Sequence, residues 1–237
     1  MNQKIIFKPA TAEVEINEKC FFPASTMVPE WFKHIPPERQ TPEVIPSTRM
    51  MSTVKKCVPF VDALTTGYMA CLSQDVEFSK DEAGNHIAFW GYNREDITTI
   101  ENDLEFRTHG LSVPKEANNK TWRFHTGFHI ITPKGYSTLV THPLNRFDLP
   151  FNTLSAVIDT DSFERGLVVT MYLNKDFVGI LKKGTPIAQI FPFKRTNWKS
   201  ETIKAATKAE LNKIRFDLMS VANRAYQTLY WKKKTYE

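Results

Sequence analysis

A chain of 237 residues with 41% hydrophobic and 12% aromatic side chains holds enough apolar material for a packed core, which excludes wholesale disorder. Its length suits one large domain, or a domain with an appendage. The formal charge of +5 lies mostly in residues 200–237, where eight Lys and Arg face four acids, so the first 199 residues carry only about +1. A nucleic-acid partner, which needs basic side chains clustered on a folded face, is not expected.

No apolar run approaches the ~20 residues that span a bilayer, so no membrane partner is expected. The start, Met1-Asn2-Gln3-Lys4-Ile5-Ile6-Phe7-Lys8-Pro9, lacks the apolar core and small-residue cleavage site of a signal peptide. The expected compartment is a cytoplasm. Cys20, Cys57 and Cys71 are odd in number, widely spaced and without a C-x-x-C pair, which points to thiols rather than a disulfide framework or an all-Cys zinc site.

In chain order, residues 1–50 come first and hold seven of the fourteen prolines. Proline fixes φ and removes a backbone donor, so this stretch is predicted to be an N-terminal arm or strap. One short helix is expected within Met27–Ile35, with Pro29 near its first turn and Trp31 and Phe32 as anchors on the body.

Residues 51–198 are predicted to be an all-β domain. Expected strands are Val54–Phe60, Tyr68–Phe78, Ile87–Tyr92, Trp122–Thr132, Ser137–His142, Leu154–Ile158, Leu167–Leu173 and Ile187–Phe191. Turns are expected at Asp81–Asn85, Pro133–Gly135 and Lys182–Gly184. Their spacing favours a sandwich or barrel over βαβ units. Residues 93–121, polar and weakly periodic, are predicted to form an insertion loop. Residues 199–237 are predicted to hold one long amphipathic helix over about 200–233. Leu211, Ile214, Leu218, Val221, Ala225 and Leu229 give its apolar stripe, and Lys232-Lys233-Lys234 its cationic end.

Few side chains present themselves as metal ligands. His125 and His129 would share a strand face but lie about 13 Å apart, too far to chelate one zinc unaided. Asp159 and Asp161, two apart in Val157-Ile158-Asp159-Thr160-Asp161, share a face if extended. They have two readings: carboxylates that serve a water or a cation together, or residues capping a β-turn. Arg146 in His142-Pro143-Leu144-Asn145-Arg146 is equally a phosphate donor or one half of a salt bridge.

Between Tyr136 and Arg195 the order of short motifs resembles the trimeric dUTPase and dCTP deaminase superfamily, with its β-clip fold. Thr65-Thr66-Gly67-Tyr68 is similar to the first motif and Val157-Ile158-Asp159 to the third. Gly184-Thr185-Pro186-Ile187-Ala188-Gln189 is similar to the fourth, and His142–Arg146 stands where the second provides phosphate donors. The resemblance implies a homotrimer with a nucleotide site. Asp159 would activate water, and Tyr68, His142, Asn145, Arg146, Asp161 and Gln189 would contact the ligand. The departures bear on chemistry. Met69 occupies the place of the Asp that helps hold magnesium, and the Gly-rich closing arm is absent, so magnesium as a cofactor is weakly supported.

Lys55–Ala63, Thr132–Ser137, His142–Arg146 and Pro192–Arg195 together resemble a further family, found in tailed phages and bacteria, without an assigned activity. Two functional expectations follow. One is a nucleotide-pocket protein that binds a (deoxy)nucleotide, with or without hydrolysing it. The other is a phage structural or assembly protein that uses the β-clip fold as an oligomeric block, in the host cytoplasm or the virion, with other particle proteins as partners.

Overall fold

The computed structural model describes residues 3–11, 20–40, 50–90, 100–102, 110–112, 114–163, 165–220 and 225–237. Among them the protein is mainly β, with every strand pairing antiparallel.

One five-stranded sheet is built from β1 (Ile6–Pro9), β8 (Ile100–Asn102), β9 (Ala117–Ile131), β11 (Phe151–Thr153) and β13 (Gly166–Asn174), in the order β1-β9-β13-β11 with β8 also on β9. A second contains β2 (Phe21–Pro23), β5 (Tyr68–Cys71), β10 (Tyr136–Thr141), β12 (Ala156–Ile158) and β15 (Pro186–Lys194), in the order β12-β10-β15-β5-β2. Smaller sheets join β6 (Val76–Lys80) to β7 (His86–Trp90) and β14 (Gly179–Leu181), and β3 (Glu38–Gln40) to β4 (Met50–Ser52).

The alternation along these strands explains the core. In β13, Leu167, Val169, Met171 and Leu173 point one way and are at most 3% exposed. They share one cluster with Phe124 and Ile130 of the same sheet, Val140, Ile187 and Ile190 of the second, and Phe78 of the third. The N-terminal residues are woven into this body. β1 lies at the edge of the first sheet and β2 at the edge of the second, where Pro9 and Pro23 interrupt no interior ladder. Phe7 of β1 stacks on Phe21 of β2 at 4.2 Å, so the two edges are tied together across the core. The short helix of this region, α1 (Glu30–His34), follows Pro29, buries Phe32 and donates from Trp31 Nε1 to Asp148 at 3.1 Å.

The three expected turns are present. Asp81 and Asn85 close the β6–β7 hairpin, and Gly135 and Gly184 supply positive φ in the other two.

Several expectations need correction. Val54–Phe60 is not a strand: a 3-10 turn over Val54–Lys56 leads into α2 (Val58–Thr65). Thr53 caps the turn by accepting from Lys55 N–H at 3.2 Å, and Pro59 sits in the first helical turn, where its missing donor does no harm. These local bonds outweigh the β-branched composition. Tyr68–Phe78 breaks into β5 and β6, which belong to different sheets, because Asp75 turns the chain by accepting from Lys182 Nζ and Lys183 N–H, both at 2.8 Å.

The insertion loop predicted at 93–121 contains β8 and the start of β9. Polar residues there still form ladder because β13 pairs with them, Tyr172 opposite Thr121 and Asn174 opposite Ala117. Its residues 93–99, 103–109 and 113 lie outside the described ones. The helix predicted over 200–233 begins only at Lys208, as α3 (Lys208–Ser220), with α4 (Ala225–Leu229) after it. Thr207 and Glu210 cap α3 reciprocally: Thr207 Oγ1 accepts from Glu210 N–H at 3.3 Å, and Glu210 Oε2 accepts from Thr207 N–H at 2.7 Å. Residues 221–224 lie outside the described ones, and 231–237 are not helical.

Candidate functional site

β10 positions most of the residues singled out from the sequence, but it places them at its two ends. Thr138 pairs with Ile158, so Asp159 follows beside Ser137, whereas Gln189 pairs with Thr141 and the 142–146 turn leaves beyond it. Five residues of strand separate the two groups by roughly 17 Å.

At the Tyr136 end, Thr160 turns inward, Asp159 stands out into solvent, and the Asp161 side chain is sheltered at 6% exposure. Thr160 Oγ1 is buried and bonded to the hydroxyls of Thr132 at 2.7 Å and Thr138 at 2.8 Å, which ties the two large sheets together. The cation that the two aspartates meet together is the guanidinium of Arg195. Its Nη1 donates to Asp159 Oδ1 at 3.2 Å and to Asp161 Oδ1 at 3.0 Å, and its Nη2 donates to Asp161 Oδ2. Ser137 Oγ also donates to Asp159 Oδ1, at 2.6 Å, and Gly135 N–H to Asp161 Oδ2, at 2.8 Å. The Arg195 bond, followed by that of Gly135, holds the Asp161 carboxyl down to about 2. The β-turn expected here exists, but the backbone closes it: Asp159 C=O accepts from Ser162 N–H at 3.1 Å and Phe163 N–H at 2.9 Å.

At the Thr141 end, the polar side chains are bonded to the chain itself. Gln189, fully buried, accepts from Leu144 N–H at 2.8 Å and donates from Nε2 to Ala63 C=O at 2.9 Å and Thr66 C=O at 2.7 Å. Arg146, 8% exposed, forms a two-pronged pair with Asp148 at 2.8 Å through both Nε and Nη2. Burial alone would raise the Asp148 carboxyl, yet the Arg146 bonds and charge outweigh it and hold it below its ordinary value. His142 donates from Nε2 to Arg146 C=O at 3.2 Å and accepts from Thr153 N–H at Nδ1, 3.3 Å. Burial lowers its pKa, against the raising effect of that carbonyl. Asn145 holds the turn at φ +59°, a conformation that suits its short amide side chain.

Tyr68 bonds to neither group. The glycine before it, at φ +79°, lets the chain pass β15, because a Cβ there would stand 2.3 Å from Ile190 O. Tyr68 lines a cleft of about 740 Å³ where the first residues of β5 and β10, the turn that follows β9 and Pro192 of β15 converge. Its walls include Ile5, Tyr136 and Pro192, with Lys4 and Lys234 at the margin and Tyr236 edge-on to Tyr68 at 5.7 Å. Burial raises the Tyr68 phenol, as do Tyr236 and Glu237 close by.

Asp159 Oδ1 is engaged by the Ser137 hydroxyl and the Arg195 guanidinium, while the side chain as a whole is 64% exposed. Met69 is 1% exposed in an apolar cluster with Ala24 and Cys71. Among the described residues no three His, Cys, Asp or Glu side chains converge on a metal-sized site, and no helix is long and apolar enough to cross a membrane.

The residues that sequence reading missed as partners are Arg195, Asp148 and Ser137. Asp148, two residues after Arg146, was the one with a local signal, since an acid beside an arginine in a turn is a ready ion pair. No protein-family model matches the chain. No curated protein matches it significantly.

Proposed function

We propose that this protein is an oligomeric building block, a β-clip-like body whose C-terminal excursion packs against a neighbouring copy, with a trimer as the first arrangement to test. The β-clip reading rests on the motif order of residues 136–195. The likeness to a phage family supports a particle component that assembles in a host cytoplasm.

One observation carries the proposal. Every residue from Phe193 to Phe216 is exposed, including large apolar ones: Trp198 at 93%, Ile203 at 79%, Phe216 at 73%, Leu211 at 48% and Ile214 at 47%. Single exposed apolar side chains are ordinary, but a run of them on one segment marks an association surface. A second copy fits this surface best because the far end of the same excursion, Trp231 to Glu237, already has an acceptor on the body at Asp62 and Tyr68. Each copy therefore carries both halves of a contact. Light scattering on the purified chain should give the mass of several chains, three by first expectation. A one-chain mass at tens of micromolar would sink the reading.

The tyrosine-lined cleft favours a second reading, a nucleotide held between the sheet ends. Arg146 is committed to Asp148, so Tyr68 and Lys4 are the groups to probe. A ligand at ~100 times Kd stabilises the folded state by about 2.7 kcal/mol. A thermal-shift panel of deoxynucleoside mono- and triphosphates, with and without magnesium, should show that gain and lose it in Tyr68→Ala. No shift with any of them rejects nucleotide binding in this cleft.

A further inference from the structure

We propose that residues 231–237 form an exchangeable docking peptide, which in the assembly occupies the acceptor site of a second copy of this chain in place of its own. The inference rests on the assembly reading above and names the contact that closes it.

The acceptor is a built site. Asp62, in α2, accepts from Trp231 Nε1 at 3.0 Å to Oδ2 and 3.3 Å to Oδ1, and from Lys234 Nζ at 2.5 Å. Lys234 Nζ also lies over the Trp231 ring, 5.8 Å from its centre. Two residues beyond Lys234, Tyr236 meets Tyr68 edge-on, and Tyr68 OH donates to the Glu237 backbone oxygen at 3.2 Å. One aspartate and one tyrosine thus read a short peptide in which three lysines and Thr235 separate two aromatic residues.

Of the tether holding that peptide, the described residues 196–216 and 226–230 are all exposed. The extended run 196–207 and the 13-residue α3 together reach about 60 Å. A body of some 200 residues has a radius of gyration of only about 17 Å. The docking bonds are the same in either arrangement, so exchange gives up none of them and adds burial of Leu211 and Ile214 between copies.

The test uses full chains in a Cys57→Ser background, because Cys57 is exposed while Cys20 and Cys71 are buried. One chain carries Asp62→Cys, the other Trp231→Cys, and the two are co-expressed with tags of different mass and then oxidised. The expected product is a disulfide-linked pair containing both tags. A single chain carrying both substitutions should likewise give linked multimers. Linkage only within single chains, or no linkage at all, overturns the proposal. Cysteine at either position removes a docking bond, so a second variant ends at Tyr230; its mass should fall to one chain, and a retained oligomer overturns the proposal. Light scattering on the Cys57→Ser chain without the engineered cysteines separates the two readings. An oligomer without linkage between chains sinks exchange alone, whereas a one-chain mass sinks the assembly reading with it.

Discussion

At the Thr141 end of β10, Gln189 and Arg146 are buried and His142 half-buried, all three bonded to backbone or to Asp148. At the Tyr136 end, Arg195 is 41% exposed and Asp159 64%, so that ion cluster stands half in water around the more sheltered Asp161. Both ends hold residue types that a nucleotide site would use. What separates them is the surroundings: a buried polar group must find its partners within the protein, while an exposed one trades them with solvent at little cost. The first end should therefore behave as structure, and the second should respond to salt and pH.

The largest effect should come from Gln189→Leu. The substitution keeps the volume but strands Leu144 N–H and the carbonyls of Ala63 and Thr66, which the amide now joins across three segments. An unpaired buried group costs about 1–3 kcal/mol, and some of the three will find other donors, so a loss of roughly 3 kcal/mol is expected. At ~2–4 °C per kcal/mol for a chain of this size, the melting temperature should fall by about 6–12 °C. A fall near zero would mean that Gln189 is dispensable to the fold, which would reopen its role as a ligand group.

Arg146→Met comes next. It keeps the aliphatic stem and removes the guanidinium, leaving Asp148 with Trp31 Nε1 as its remaining side-chain donor. Asp148 is 38% exposed, so the loss should fall between that of a surface pair, ~0–1 kcal/mol, and that of a fully buried one, ~3–5 kcal/mol. About 2 kcal/mol is expected, read by urea unfolding. The Asp148 carboxyl should also titrate higher, as followed by NMR, since Arg146 is the main influence holding it down.

The strands with strict alternation were legible from sequence, β13 above all, because burial on one face writes a period of two into the residues. The turns at Gly135 and Gly184 were legible because their backbone needs glycine. What stayed hidden was decided by distant partners. Ala117 to Lys120 read as loop and become strand only because β13 lies beside them. Val54 to Phe60 read as strand and become helix because Thr53 and Pro59 set a local start. The candidate site was legible as a set of residues and illegible as a place: nothing in His142–Arg146 says that its arginine already has Asp148, or that Asp159 will be met by Arg195 from a strand end 36 residues away.

The smallest effect, and the most specific to the exposed end, is the pH response of Asp161. Its carboxyl is held at about 2 in the folded protein, mainly by Arg195 and then by Gly135 N–H, against ~3.9 in an unfolded chain. A lowered carboxyl pKa means that the unfolded state takes up the proton first as the solution is acidified. The stabilisation from Asp161 is therefore complete above about pH 4 and is lost as pH falls through 4 toward 2. Asp161→Asn keeps an oxygen that can accept from Gly135 N–H but removes the charge that Arg195 pairs with. The gap in melting temperature between wild type and this variant should be widest above pH 4 and close on acidification, and 0.5 M salt should narrow it at neutral pH. A gap that neither acid nor salt changes would mean that Asp161 works as a neutral acceptor for the Gly135 turn. The two ends of β10 would then be alike in kind, differing only in how much water reaches them.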